Sequence, residues 1–172
     1  MPGTISPTAF RPRDPDWEKR CRDSFAAQQF MSLIGADMVS IAPGRCVVAA
    51  AMKGELTQQR GFLHGGVTAA LADTAAGFAA YSLMPAGSSP LTVEFKINLV
   101  APAAGERFVA SANVVRSGRT LTIVEADVSA QSQGETKMVA KMLATLICLE
   151  NTSDRTSGGP AMYNQDLRRT WR

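Results

Sequence analysis

A chain of 172 residues and 18.3 kDa has room for one domain with a short appendage, and so for a single hydrophobic core. Its 18 Lys and Arg against 15 Asp and Glu leave a formal charge of +3 with no single-sign run, too mild for a nucleic-acid partner though compatible with a polyanionic small molecule. Cys21, Cys46 and Cys148 are widely spaced with no CxxC pair or histidine partner, which suggests neither a disulfide framework nor a zinc site, and no basic segment leads into an apolar run at the N-terminus; the expectation is a reduced, cytoplasmic protein.

Residues 1–13 hold Pro2, Gly3, Pro7 and Pro12 and are expected to be irregular. At Asp14 the signals change: Asp14 suits a cap, Pro15 the first helical position, and Asp16 and Glu18 the positive end of a helix. Trp17, Cys21 and Phe25 then recur every fourth residue, which predicts one packing helix ending between Phe30 and Gly35. Two strands, 36–42 and 45–52, follow around the turn dipeptide Pro43-Gly44. A polar loop from Lys53 to Arg60 delivers the chain to the next helix, and its Gln58, Gln59 and Arg60 are either ligand contacts or a solvated connection.

The stretch Gly61 to Met84 dominates the sequence. From Gly65 it predicts a helix of about 20 residues, roughly 30 Å long, whose Ala69, Ala70, Ala72, Ala75, Ala76, Ala79 and Ala80 leave no polar face. Such a helix is expected to be buried. It is long enough to cross a membrane, but Ala, Gly and Thr are weakly hydrophobic and no aromatic belt or basic cluster flanks it, which argues against a membrane span. Asp73 is the only charged residue between His64 and Met84, and a buried carboxylate is costly unless it is paired, hydrogen-bonded or used in chemistry. A structural and a functional role stand side by side at this point.

After Pro90 the period becomes two. Leu91, Val93, Phe95, Ile97 and Leu99 alternate with Thr92, Glu94, Lys96 and Asn98, predicting a strand with one face on the core and the other toward water or a partner. Strands at 106–116 and 120–129 flank the Ser117-Gly118-Arg119 turn, and a last strand covers 135–149. Strands joined by tight turns run antiparallel, so the fold class is α+β, with one antiparallel sheet on the long helix. The domain is expected over 14–149. Residues 150–172 read as a tail that Tyr163 and Trp171 either anchor on a neighbour or leave free.

The run His64-Gly65-Gly66 through Leu71-Ala72-Asp73, followed by LTVEFKINLVAPA and VVRSGRTLTIVEADV, resembles the PaaI-type acyl-CoA thioesterases of the hotdog fold, in order from about Phe25 to Leu149. The resemblance implies a curved antiparallel sheet wrapped around the central helix, sheets paired into homodimers and often dimers of dimers, and hydrolysis of an acyl-coenzyme A without a cofactor or metal. It makes Asp73 the general base or nucleophile, and Gly65 the residue whose backbone N–H polarises the carbonyl. The second assignment agrees with the free N–H groups and positive dipole of a helix start. Gln58 and Thr92 fall where related enzymes carry residues near the carbonyl and the attacking water. His64, the sole histidine, more readily positions the backbone or the substrate than acts as a base, and Gly66 follows in the same substrate-binding turn.

The resemblance also sets Arg116 and Arg119 beside the nucleotide end of coenzyme A, against the plainer reading of an exposed basic turn. Phe25, Phe30, Met31 and Leu33 either line the acyl pocket or are plain core. Two other functions compete. A non-catalytic acyl-CoA-binding module has no need of an isolated carboxylate, and a hotdog dehydratase pairs its acid with a histidine that follows on the helix, whereas His64 precedes Asp73. Helix geometry adds a constraint. Gly65 and Asp73 stand about 12 Å apart along one helix, so a site using both is expected to be shared across a two-fold axis by two antiparallel helices.

Overall fold

The structure, a computed structural model, describes residues 10–150 and Thr152; Tyr163, Trp171 and nearly all of the expected tail, with most of the expected irregular N-terminal segment, lie outside the described residues. The first helix is two helices, α1 (Trp17–Ala26) and α2 (Gln29–Ile34), with Gln28 between them in an extended conformation. The cause is a change of phase. Continuing the Trp17, Cys21, Phe25 stripe would bring Gln28 and Gln29 inward, and the break instead re-aims the chain so that Met31 and Ile34 are buried. Gly35, at φ +69°, then ends α2 in the left-handed cap that favours glycine.

Strands β1 (Ala36–Ala42) and β2 (Arg45–Ala51) form the expected hairpin around Pro43-Gly44. The central helix α3 (Gly65–Tyr81) is shorter than predicted, with 17 residues. Ser82 stops it by donating to the Ala79 carbonyl at 2.7 Å while accepting the Gly44 N–H at 2.8 Å, which ties the helix end to the hairpin turn. Then come β3 (Ser88–Leu99), β4 (Arg107–Ser117), β5 (Leu121–Ser132) and β6 (Glu135–Glu150). The six strands pair antiparallel in the order β1-β2-β4-β5-β6-β3, and α3 touches all six. This is the curved sheet around a long helix that the resemblance implied. No helix among the described residues is long and apolar enough to cross a membrane.

Two expectations need correction. First, α3 is not buried all round. Leu71, Ala72, Ala75, Ala76 and Ala79 are fully enclosed, but Gly66 is exposed and Ala70, Asp73 and Gly77 are half-buried, at a spacing that lines them along one stripe. Second, the apolar side of β3 does not simply cover the core. Phe95, Ile97 and Leu99 share the inner face with the buried Ala144, Met142 and Ala140, yet β3 is the edge of the sheet, and Phe95 and Leu99 remain 46% and 58% exposed. An edge strand with open backbone and apolar side chains is a surface prepared for pairing.

At the far end of α3 one side chain collects three carbonyls, that of the last helical residue and two beyond it. Arg20 on α1 donates to the carbonyls of Tyr81, Met84 and Pro85 at 3.2, 2.8 and 2.5 Å, lies 4.4 Å over the Tyr81 ring, and pairs with the buried Asp14 at 3.2 Å. A cation at a helix C-terminus also complements the dipole. Replacing it would take the donor from the Met84 carbonyl and leave Asp14 buried without its counter-ion. Arg20→Ala is expected to lower stability by about 3 kcal/mol, read as a drop in the denaturant midpoint at unchanged slope; a loss below about 0.5 kcal/mol would remove the clamp from the account.

Candidate active site

Asp73 lies halfway along α3, on its half-buried stripe, and the Thr92 hydroxyl donates to its Oδ1 at 2.8 Å. Alternation alone puts Thr92 on the outer face with Glu94, Lys96 and Asn98. The structure shows why it is not there. A β-bulge at Val93 inserts one extra residue, so that Thr92 opposes the buried Leu146 while Glu94 opposes Thr145. Glu94 accepts a bond from the Thr145 hydroxyl on the outer face, and Thr92 is turned inward to Asp73. Burial pushes the Asp73 carboxyl above its ordinary value of 3.8, and the Thr92 bond acts in the opposite sense, favouring the ionised form. The pair faces a cavity of about 710 Å³, lined also by Ser24, Gln28, Phe78 and Phe95.

The start of α3 is built from His64-Gly65-Gly66. His64 is the N-cap: its Nδ1 accepts the Gly66 N–H at 2.9 Å, and its carbonyl accepts the N–H groups of Val67 and Thr68 at 2.9 and 3.1 Å. An Nδ1 that accepts leaves the proton of the neutral ring on Nε2, so His64 has no spare lone pair with which to act as a base. Gly66 likewise has no N–H to offer a substrate. The Gly65 N–H has no acceptor among the described residues and lines a second cavity, of about 550 Å³, with Gln58, Arg60, Thr68 and Leu99. An added Cβ at Gly65 would come within 3.0 Å of Leu99 Cδ1, so glycine lets the strand end approach the helix start.

Gln58 is held in a loop closed on itself. Its N–H bonds to the Phe62 carbonyl at 2.9 Å, its carbonyl takes the Gly61 N–H at 2.9 Å, and its Oε1 takes the Arg60 N–H at 2.6 Å, which leaves the side-chain NH₂ as a donor beside Gly65. The sequence-derived residues therefore fall into two half-sites on one chain. Asp73 and Thr92 line one cavity, and Gly65 and Gln58 line the other.

Phe25 and Phe30 belong to neither. Phe25 packs edge-on against Phe78, with ring centroids 5.5 Å apart, and lines a third cavity; Phe30 is 52% exposed on α2. Arg116 and Arg119 also part company. Arg116 opposes Ile123 across β4 and β5, while Arg119 lines a cavity of about 420 Å³ with Arg11 and Arg13. Sequence reading gave residues 1–13 no role, and no local pattern marks these two arginines. Arg13 is oriented by donating its Nε to the Leu83 carbonyl at 2.8 Å, whereas Arg11 and Arg119 have no partner among the described residues and no carboxylate lines the cavity.

Comparison with known proteins bears on the chemistry of these half-sites. The sequence profile of the thioesterase superfamily matches residues 60–137. Human acyl-coenzyme A thioesterase 13 is 32% identical over 117 residues, covering 67% of this chain and 81% of that protein. A thioesterase family protein from Silicibacter pomeroyi, solved as a crystal structure, is similar with a TM-score of 0.77 at 45% identity, covering 78% of this chain and 98% of that one. The E. coli PaaI protein of the phenylacetic acid degradation operon shares the fold with a TM-score of 0.71 at 22% identity, over 80% of this chain and 96% of that one. The chain belongs to the thioesterase superfamily and has its hotdog fold, as the resemblance to PaaI-type thioesterases implied.

Proposed function

We propose that this protein hydrolyses an acyl-coenzyme A to the free acid and coenzyme A, with Asp73 as base or nucleophile. The observation that carries this reading is a half-buried carboxylate, held by Thr92, facing a cavity in a family of thioester hydrolases. In the first route Asp73 takes a proton as water attacks the carbonyl carbon. The oxyanion that forms receives the Gly65 N–H, with the Gln58 amide beside it, and collapses by breaking the C–S bond, the thiolate leaving to take a proton. In the second route Asp73 attacks the carbonyl carbon, the C–S bond breaks to release the thiolate, which takes a proton, and water then hydrolyses the anhydride to the free acid and Asp73. Both need Asp73 ionised. Arg119, joined by Arg11 and Arg13, suits the phosphates at the nucleotide end of coenzyme A, and Arg116 on the sheet surface is left out of that role.

One chain holds the two half-sites about 12 Å apart, and a second copy joins them. Leaving out the bulged Val93, a two-fold axis at Lys96 pairs β3 antiparallel with its copy, so that Phe95 opposes Ile97, Glu94 opposes Asn98 and Thr92 opposes Leu99. Every pair then shares a face. Thr92 bonds Asp73 and Leu99 touches Gly65, so this register carries Asp73 of one protomer toward Gly65 of its partner. The exposed Phe95 and Leu99, the open edge of β3 and the small-residue stripe of α3 support the arrangement. Lys96 opposite its own copy is the one unfavourable pair, on the solvent face.

Asp73→Asn is expected to lower kcat by about 10²- to 10⁴-fold; near wild-type turnover would favour a module that only binds acyl-CoA. The same variant tests the buried charge. Because the native carboxyl titrates above its unfolded value, ionising it costs stability as pH rises through the native pKa, and below the unfolded pKa both states hold the proton. Asp73→Asn should accordingly be at least as stable as wild type at pH 8, with the difference closing near pH 4, in chemical denaturation.

Thr92→Val removes the bond that favours the ionised form, so the acid limb of kcat/KM should move to higher pH. An unmoved limb with a uniformly reduced rate would mean that Thr92 does not tune Asp73. For the pairing, Lys96→Cys should form an intermolecular disulfide on mild oxidation, because directly opposed strand residues lie about 4.5–5.5 Å apart at Cα, within disulfide range. Inactive Asp73→Asn and Gly65→Pro chains, refolded together, should recover about a quarter of wild-type activity, since half of the dimers are mixed and each has one intact site. No crosslink, and no recovery once mixed dimers are confirmed by mass, would sink the shared site.

A further inference from the structure

The elbow between α1 and α2 has a cavity on each side. Ser24 lines the Asp73 cavity of about 710 Å³, Phe25 lines a separate one of about 540 Å³, and Gln28, one turn on, lines both. The partition continues inward as an aromatic contact. Phe25 meets Phe78 edge-on with centroids 5.5 Å apart, and Phe78 is itself a wall of the Asp73 cavity. Met31, 2% exposed, Ala36, 7% exposed, and the half-buried Met38 give the second cavity an apolar floor, while Arg22 and Asp37 stand exposed at its rim. Nothing in the chemistry of the carbonyl uses this space.

Resting on the acyl-CoA reading above, we propose that the cavity beneath the α1–α2 elbow is a second acyl subsite, and that the Phe25–Phe78 contact separates it from the first and so limits acyl length. Phe78 lies five residues beyond Asp73 on α3, roughly 7.5 Å along the axis. A short acyl group attached to a carbonyl beside Asp73 is contained before it reaches Phe78. A longer chain meets the aromatic pair and continues only where Phe25 turns aside, onto methionines whose unbranched side chains accommodate irregular apolar contacts. Gln28 is well placed at this junction because its extended backbone, the break between two helices, frees the end of α1 from rigid continuation into α2. The substrate class assigned to the second cavity is a linear acyl chain of medium to long length.

The test is the ratio of kcat/KM for dodecanoyl-CoA to that for butyryl-CoA, in wild type, Phe25→Ala, Phe25→Leu, Met38→Phe and the Phe25→Ala/Met38→Phe double variant. Opening the partition should raise the ratio about tenfold or more in Phe25→Ala and by less in Phe25→Leu, because apolar pockets discriminate by about 10- to 200-fold per methylene-scale change in fit. Filling the second cavity with Met38→Phe should return the double variant's ratio toward wild type. A ratio unchanged by Phe25→Ala, or a gain that Met38→Phe leaves intact, overturns the subsite. If Phe25→Ala does not fold, Phe25→Leu with and without Met38→Phe decides the same question. Hydrolysis of no acyl-CoA by folded wild type would instead overturn the proposed function. Affinities of butyl- and dodecyl-CoA thioethers for the same proteins would then still judge the subsite, which fails if Phe25→Ala leaves their ratio unchanged.

Discussion

A carboxylate whose neighbours one turn away on its helix, Ala69, Ala70, Ala76 and Gly77, are alanine and glycine has few places to find a partner. Small side chains let all six strands close on α3, and for the same reason none of its helical neighbours can reach across to Asp73. The partner has to come from the sheet, and on β3 the residue in position is Thr92, turned inward by the bulge at Val93. Without the bulge, the period of two that sends Phe95, Ile97 and Leu99 inward would send Thr92 out. One inserted residue therefore reconciles an apolar strand face with a polar contact on that same face, and it fixes where on the helix a charged group is tolerable.

The bulge also governs what a second copy can do. A regular β3 paired with itself around Lys96 would set Val93 opposite Leu99 and leave Thr92 without that partner. In the proposed dimer, skipping one residue brings the Asp73 end of one chain against the Gly65 end of the other. The fixed rise of the helix keeps these two groups apart within a chain, and in the proposed pairing the fixed parity of the strand would bring them together between chains. The proposed catalytic geometry and the proposed assembly thus depend on the same local irregularity.

Much of this was legible in the sequence because it is local. The Ala-rich run, the lone Asp73, the Pro43-Gly44 and Ser117-Gly118 turns and the alternation after Pro90 each carry their own signal, and the α+β order follows from them. What was not legible depends on contacts distant in the chain. The Val93 bulge is a matter of register against β6, and the exposure of Phe95 depends on β3 being an edge. The α1–α2 break follows from where Met31 and Ile34 find their burial, and Arg11 and Arg13 meet Arg119 only because the chain folds back across more than a hundred residues. His64 shows the reverse case. A single histidine beside a reactive helix invites a catalytic reading, and one hydrogen bond from Gly66 turns it into a cap.

The two ends of α3 are treated differently, and the difference suits catalysis. At the C-terminal end the carbonyls of Ala79, Tyr81, Leu83, Met84 and Pro85 are taken by Ser82, Arg20 and Arg13, so the helix is fastened to α1, to the β1–β2 turn and to the N-terminal segment. At the N-terminal end His64 satisfies the donors of Gly66, Val67 and Thr68 and leaves that of Gly65. An unpaired N–H at the positive end of a helix is a stabilising group for developing negative charge only if it is already in place, since any reorganisation during the reaction subtracts from its effect. The opposite end is anchored and the neighbouring donors of Gly66, Val67 and Thr68 are capped, which leaves Gly65 as the donor without an acceptor among the described residues. The donor left open at Gly65 lines its cavity, and in the proposed mechanism it is this backbone geometry, more than any titratable side chain at that end, that would meet the oxyanion.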